Sequence, residues 1–137
     1  MDGTEGILSL GDLAITAAGT FLGPELDDLD GMSAVTLQLR FAYGSGGTTV
    51  DAFVQTSLDQ GTTWADVWHE QFATVADVKI VNVSGLTPVI TPVLPADGAL
   101  APGTVLDGVL GDRLRLKAVV AGTYAGSTVL SSRAAVR

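Results

Sequence analysis

The cleanest alternation in the chain runs over residues 34–43, where Val35, Leu37, Leu39 and Phe41 take turns with Thr36, Gln38, Arg40 and Ala42. Successive side chains of a strand point to opposite faces, so this run predicts a strand with one face in a core and the other in water. Residues 48–56 repeat the pattern, with Val50, Ala52 and Val54 inward and Asp51, Phe53 and Gln55 outward. Joined by Gly44-Ser45-Gly46-Gly47, the two runs predict a hairpin. Residues 113–121 set Leu114, Leu116 and Ala118 against Arg113, Arg115 and Lys117, and residues 127–136 give a closing strand after a turn at 122–126. Residues 8–17 read as a first strand broken at Gly11-Asp12, and residues 76–83 and 87–94 as two β-rich runs parted by Ser84-Gly85. Pro88, Pro92 and Pro95 each remove a ladder donor, which sends the second of these runs to an edge or out of the sheet. A short apolar run follows at 104–110. No segment keeps a helical period for long between breakers. The fold class predicted is therefore all-β, a single-domain antiparallel β-sandwich of jelly-roll type over residues 7–137, behind a polar arm at 1–6.

Between the second and third of these regions lies Ser57-Leu58-Asp59-Gln60-Gly61-Thr62-Thr63-Trp64, which fits the Asp-box pattern Ser-x-Asp-x-Gly-x-Thr-Trp at every specified position. Ser57, Asp59, Gly61, Thr63 and Trp64 are expected to build a turn and not an active site. Asp59 bonds the backbone that follows it, Gly61 takes a positive φ, and the Trp64 ring folds over the bend. One such box in 137 residues does not make a propeller, whose blades take about 40–50 residues each. The stretch that follows places Trp64, Trp68 and Phe72 at helical spacing but is expected to be a strand with a bulge.

Composition narrows the picture. The chain is long enough for one core; apolar residues make up 47% and aromatics only 6%, so the core is built mainly from Val, Leu, Ile and Ala, which suits sheets. A formal net charge of −8 opposes attraction to nucleic-acid phosphates or an anionic membrane. The absence of cysteine excludes disulfides, thiolate zinc sites and Cys nucleophiles. No apolar run approaches the roughly 18 residues of a membrane span, and Asp2-Gly3-Thr4-Glu5-Gly6 stands where a secretory leader carries basic and then apolar residues. The expected product is soluble and made in the cytoplasm.

Candidate chemistry fares poorly residue by residue. The acidic cluster Glu25-Leu26-Asp27-Asp28-Leu29-Asp30-Gly31 suggests calcium, but with Gly31 as the loop glycine of an EF-hand the first and last ligand positions fall on Leu26 and Leu37. The loop at 44–47 lacks the third glycine and the lysine of phosphate cradles, and Tyr43 occupies the first glycine position of a nucleophile elbow. His69 is the sole histidine, and its sequence neighbours Ser57 and Asp59 belong to the turn. A carboxylate pair for glycoside hydrolysis can be drawn from Asp66 and Glu70, yet on an evenly spaced strand they line the same wet face, where carboxylates are common. No catalysis, cofactor or metal is expected. Arg113, Arg115 and Lys117 line one face of one strand, a solvated face or else a patch for an acidic partner.

Taken together, residues 50–67, Leu110-Gly111-Asp112-Arg113-Leu114-Arg115-Leu116 and Gly122-Thr123-Tyr124-Ala125-Gly126 resemble the small virion proteins of tailed bacteriophages and prophages, among them head decoration or cement proteins and minor head and tail components. The resemblance covers about the middle third and the last quarter of the chain and brings no catalytic residue with it. It implies a non-enzymatic protein on the capsid surface that binds the major capsid protein or other virion proteins as a homo-oligomer, a dimer or trimer, and stabilises the head. Phe53 and Trp68, apolar rings expected outside the core, join Arg113, Arg115 and Lys117 as the candidate interface. The alternative is a carbohydrate- or cell-surface-binding module of a phage tail or secreted enzyme, with Trp64, Trp68 or Tyr43 as stacking platforms.

Overall fold

The computed structural model describes residues 6–137. Of the arm expected at 1–6, all but Gly6 lies outside the described residues, and Gly6 already opens the first strand. The strands are β1 (Gly6–Ala14), β2 (Gly19–Leu22), β3 (Ala34–Ala42), β4 (Ser45–Gly46), β5 (Thr49–Ser57), β6 (Ala65–Phe72), β7 (Asp77–Ser84), β8 (Thr104–Val105), β9 (Arg113–Ala121), β10 (Tyr124–Ala125) and β11 (Val129–Val136). They form a four-stranded sheet ordered β1-β11-β3-β7, a five-stranded sheet ordered β2-β9-β5-β6-β8, and a small β10-β4 ladder, antiparallel throughout. The chain is all-β, a β-sandwich.

The alternation read from the sequence decides which residues meet in the middle. Val35, Leu37, Leu39 and Phe41 of the first sheet and Val50, Val54, Leu114 and Leu116 of the second are all buried in one apolar cluster. Phe41 stacks on Phe72 across the sandwich at 5.2 Å and meets the Tyr124 ring edge-on at 5.9 Å.

The hairpin expected between residues 34–43 and 48–56 does not form. β3 and β5 belong to different sheets, and the connection between them crosses the sandwich. Two strands with the same alternation satisfy a core equally well side by side or face to face, and the glycines permit the sharper path. Gly47 has φ 76°, and a Cβ there would collide with the ring of Tyr124. The return crossing near residues 122–128 lies alongside, tied to the first by the β10-β4 ladder. Among the described residues, β5 and β6 are consequently the one pair of successive full-length strands that are also neighbours in a sheet, and the Asp box joins them.

The expected bulge in β6 is present. Val54 pairs with Trp68 and Gln55 with Asp66, so Val67 is the extra residue. One inserted residue reverses the face of everything after it. Trp68 and Phe72 therefore enter the core, and Asp66 and Glu70 stand on opposite faces, where an even strand would have set them together. β1 carries a second bulge at Leu10, one residue before the expected break, which lets Leu10 reach the core. Residues 87–94 leave the sheet altogether, and of 104–110 only Thr104 and Val105 pair as a strand.

Candidate functional site

The Asp box is a closed set of hydrogen bonds. Ser57 Oγ donates to Asp59 Oδ1 (2.9 Å), Gly61 N donates back to Ser57 Oγ (2.8 Å), and Thr63 N donates to Asp59 Oδ1 (2.7 Å). Gln60 and Gly61 take φ of 60° and 89°, the left-handed pair that turns the chain. The N–H and side chain of Thr63, helped by the Ser57 hydroxyl, hold the Asp59 carboxyl below its ordinary value against a small upward push from burial. Trp64 is buried, with the Arg115 guanidinium 4.1 Å above its ring. These bonds fix the length and exit direction of the β5-β6 hairpin, the only local one among the described residues, and with them the register of those two strands.

The centre of the five-stranded sheet's outer face is not wet, although Thr20, Leu22 and Gln71 toward its margins are exposed. Residues 95–102 fold back over it as a strap whose anchor is Asp66. The buried Asp66 carboxylate accepts from the backbone N–H groups of Gly98, Ala99 and Leu100 (2.9–3.0 Å) and from Gln55 Nε2 (2.7 Å), and Asp66 N donates to Ala96 O (2.7 Å). Successive N–H groups wrapped around one carboxylate make an anion nest, here occupied by the protein's own side chain. Asp97 receives Gln55 Nε2 and Lys117 Nζ (2.7 and 2.8 Å), and Arg115 Nε donates to Gln55 Oε1 (2.7 Å). Partial burial pushes the Asp97 carboxyl up, but the bonds from Lys117 and Gln55 and the charges of Lys117 and Arg115 outweigh it and leave it below its ordinary value. His69 completes the strap. Its Nδ1 lies 2.6 Å from Leu100 O, its Nε2 lies 2.8 Å from Asp51 Oδ1, and its ring stacks on Phe53 at 4.0 Å.

This layer corrects several expectations. Phe53 and Gln55 do point away from the core, yet the strap buries them; Trp68 lies fully inside. Neither Phe53 nor Trp68 is available as an interface. Arg113, Arg115 and Lys117 share a face as predicted, but each is turned onto an internal partner: Arg113 onto Asp112 and Glu25 (3.3 and 3.5 Å), Arg115 and Lys117 onto Asp97. They make neither an open solvated face nor a free basic patch. Trp64 lies beneath Arg115, and Tyr43 packs against the core with its hydroxyl donating to Gly46 O (2.9 Å), so the expected stacking platforms are already engaged. Ser57 and Asp59 bond each other, whereas His69 bonds Leu100 and Asp51, so these three are not brought together. In the acidic loop Leu26 and Leu29 turn inward, and no group of three or more metal-ligating side chains converges among the described residues. Of the strap's anchors, Asp66 is expected from sequence as half of a wet carboxylate pair and Gln55 as an outward residue; the sole local sign of the strap itself is Asp97-Gly98, a turn pair at the end of a proline-marked segment.

The surface feature that stands out is the segment just before the strap. Leu86, Ile90 and Leu94 are 77%, 93% and 90% exposed, with Val89 and Val93 beside them. Both feet of this arch are held: Asp107 accepts from Ser84 N (2.7 Å) and Thr87 Oγ1 (2.8 Å), which keep its carboxyl below its ordinary value, and Asp66 holds the far end at Ala96. Comparison with protein-family models, with curated proteins and with solved structures finds no match to the chain.

Proposed function

We propose that this chain is a non-enzymatic assembly protein and, from the resemblance of its Asp-box hairpin and the segments around 110–126, a capsid decoration protein of a tailed phage that braces the head by binding the major capsid lattice. The observation that carries the reading is the arch at 86–94. Large apolar side chains gathered on a surface mark an interface in soluble proteins. Pro88, Pro92 and Pro95 restrict the arch, and its anchored feet fix where it stands, so little conformational freedom is lost when a partner covers it. The same prolines remove backbone donors and keep so apolar a segment from adding strands edge to edge. The aromatic rings that a sugar-binding face needs are buried or bonded, which counts against the carbohydrate alternative.

The test is co-sedimentation of the purified chain with capsids that lack it, followed by heating. Binding that makes the shell more heat-resistant, and that Ile90→Asp with Leu94→Asp abolishes while the chain stays folded, is the expected result. A chain that ignores the capsid, or binds it equally well with both aspartates in place, overturns the proposal.

A further inference from the structure

The basic residues fall into two sets. Arg113, Arg115 and Lys117 serve the chain's own carboxylates, and Lys79 sits on the edge strand β7 beside Asp77 (3.6 Å). Arg40, on β3, and Arg133 and Arg137, on β11 and just after it, lie on the outer face of the four-stranded sheet. Arg40 and Arg133 alternate with the buried residues of β3 and β11, and Arg137 Nη1 donates to Thr36 Oγ1 (3.3 Å) on the same face. Arg133 pairs with Asp12 (3.0 Å); Arg40 and Arg137 meet no carboxylate among the described residues. Exposed Ile7 and Ile80 border a shallow depression of about 360 Å³ next to Arg133. A protein of net charge −8 thus presents a face of the opposite sign, with apolar contacts at its rim.

A partner for this face must offer carboxylates on a held scaffold, and the chain itself carries them. The connection from β2 to β3 exposes Asp27, Asp28 and Asp30, which meet no cation among the described residues. It is pinned from behind by Leu26 N to Leu114 O (2.8 Å) and Leu29 N to Asp112 O (2.9 Å). We infer that the outer face of the four-stranded sheet binds the 27–30 loop of a second copy of this chain, head to tail. Opposite potentials on two parts of one molecule allow copies of the same net charge to attract in a single orientation. Made once per pair, the contact is heterologous, and its repetition gives a ring or an open chain. Its size sets its strength: four strands about 4.8 Å apart and about 27 Å long offer roughly 400 Å², half of the ~800 Å² per partner in a standard interface. It is therefore weak and salt-sensitive alone, and effective where copies are already gathered in an array. The inference deepens the assembly reading and rests on it for the presence of such an array, but self-association of the isolated chain is a property of its own.

The test is sedimentation velocity of the purified chain over a concentration series at low and high salt. Concentration-dependent association at low salt that high salt reverses is expected. Arg40→Glu with Arg133→Glu, or Asp27→Lys with Asp28→Lys, removes it, and mixing the two reversed proteins restores it. If a doubly reversed protein does not fold, the milder Arg40→Gln and Asp28→Asn each weaken association measurably. A chain monomeric at every concentration in low salt, reversed or neutralised variants that associate like the wild type, or reversed proteins that ignore each other overturn the inference. Capsid co-sedimentation separates the two readings: a monomeric chain that still binds capsids removes only the head-to-tail contact, and a self-associating chain that ignores capsids removes only the decoration reading.

Discussion

Phe53 and Ile80 are both apolar side chains on the outer face of a strand, yet Phe53 is 3% exposed and Ile80 is 64% exposed. The difference lies in what the chain does next. Over the five-stranded sheet the strap at 95–102 descends on Asp66, and Phe53, Gln55, His69 and Arg115 become a second buried layer. Nothing among the described residues descends on the four-stranded sheet, and its outer face keeps Ile7, Ile80 and the three arginines in the open. An outward side chain is thus outward only from its own core. Whether it meets water depends on segments far away in sequence, and the face the chain leaves uncovered is the one available to other molecules.

The largest effect expected from breaking this contrast is at Asp66. Asp66→Ala leaves three backbone N–H groups without their acceptor in a buried site, takes one of two acceptors from Gln55 Nε2, and is predicted to cost about 3–5 kcal/mol in urea unfolding. A loss below about 1 kcal/mol would mean that the strap is not held as described. The next compares the two faces directly. Phe53→Ala is predicted to cost about 3 kcal/mol, as for a core ring, while Ile80→Ala stays within about 0.5 kcal/mol. Equal losses would erase the distinction between covered and open faces.

Smaller effects sharpen the picture. Asp59→Ala removes the acceptor that closes the Asp box and is expected to lower Tm by a few degrees without altering assembly; an unchanged Tm with lost capsid binding would make the box a contact and not a turn. Asp97 gives the smallest effect and a pH signature. Its folded-state value lies below the unfolded one, so its contribution is present above the ordinary aspartate value near 3.9 and is lost as pH falls below that through the folded value. Asp97→Asn should flatten the acid limb of stability between those two values and change neutral-pH stability by under about 1 kcal/mol, since the carboxylate is half exposed. An acid limb identical to the wild type would assign the acid sensitivity to other carboxylates.

Much of the fold was legible because it depends on local pattern. The alternation over 34–43 and 113–121 named the inward residues, the proline spacing sent 87–94 to an edge or out of the sheet, of which the second is found, and the Asp-box residues announced their turn. Pairing was less legible. The runs at 34–43 and 48–56 satisfy a core as a hairpin or from opposite sheets, and the choice is made by the matched crossing near 122–128, about 80 residues on. The candidate interface was misread for the same reason. Phe53 and Arg115 were assigned to solvent from their own strands, while Asp66 and the strap that cover them show no periodic signal. Arg40, Arg133 and Arg137 are unremarkable singly and become a face only through the order β1-β11-β3-β7.

The central claim is that the chain closes one outer surface with its own strap and leaves the neighbouring arch for a partner. Amide hydrogen exchange, read by mass spectrometry on the free chain and on the chain bound to capsids, tests both halves in one experiment. The prediction is slow exchange at Gly98, Ala99 and Leu100 in both samples, and fast exchange over 86–94 in the free chain that slows on the capsid. Strap amides that exchange as fast as the arch in the free chain, or an arch whose exchange is unchanged on a capsid that has bound the protein, would contradict the account.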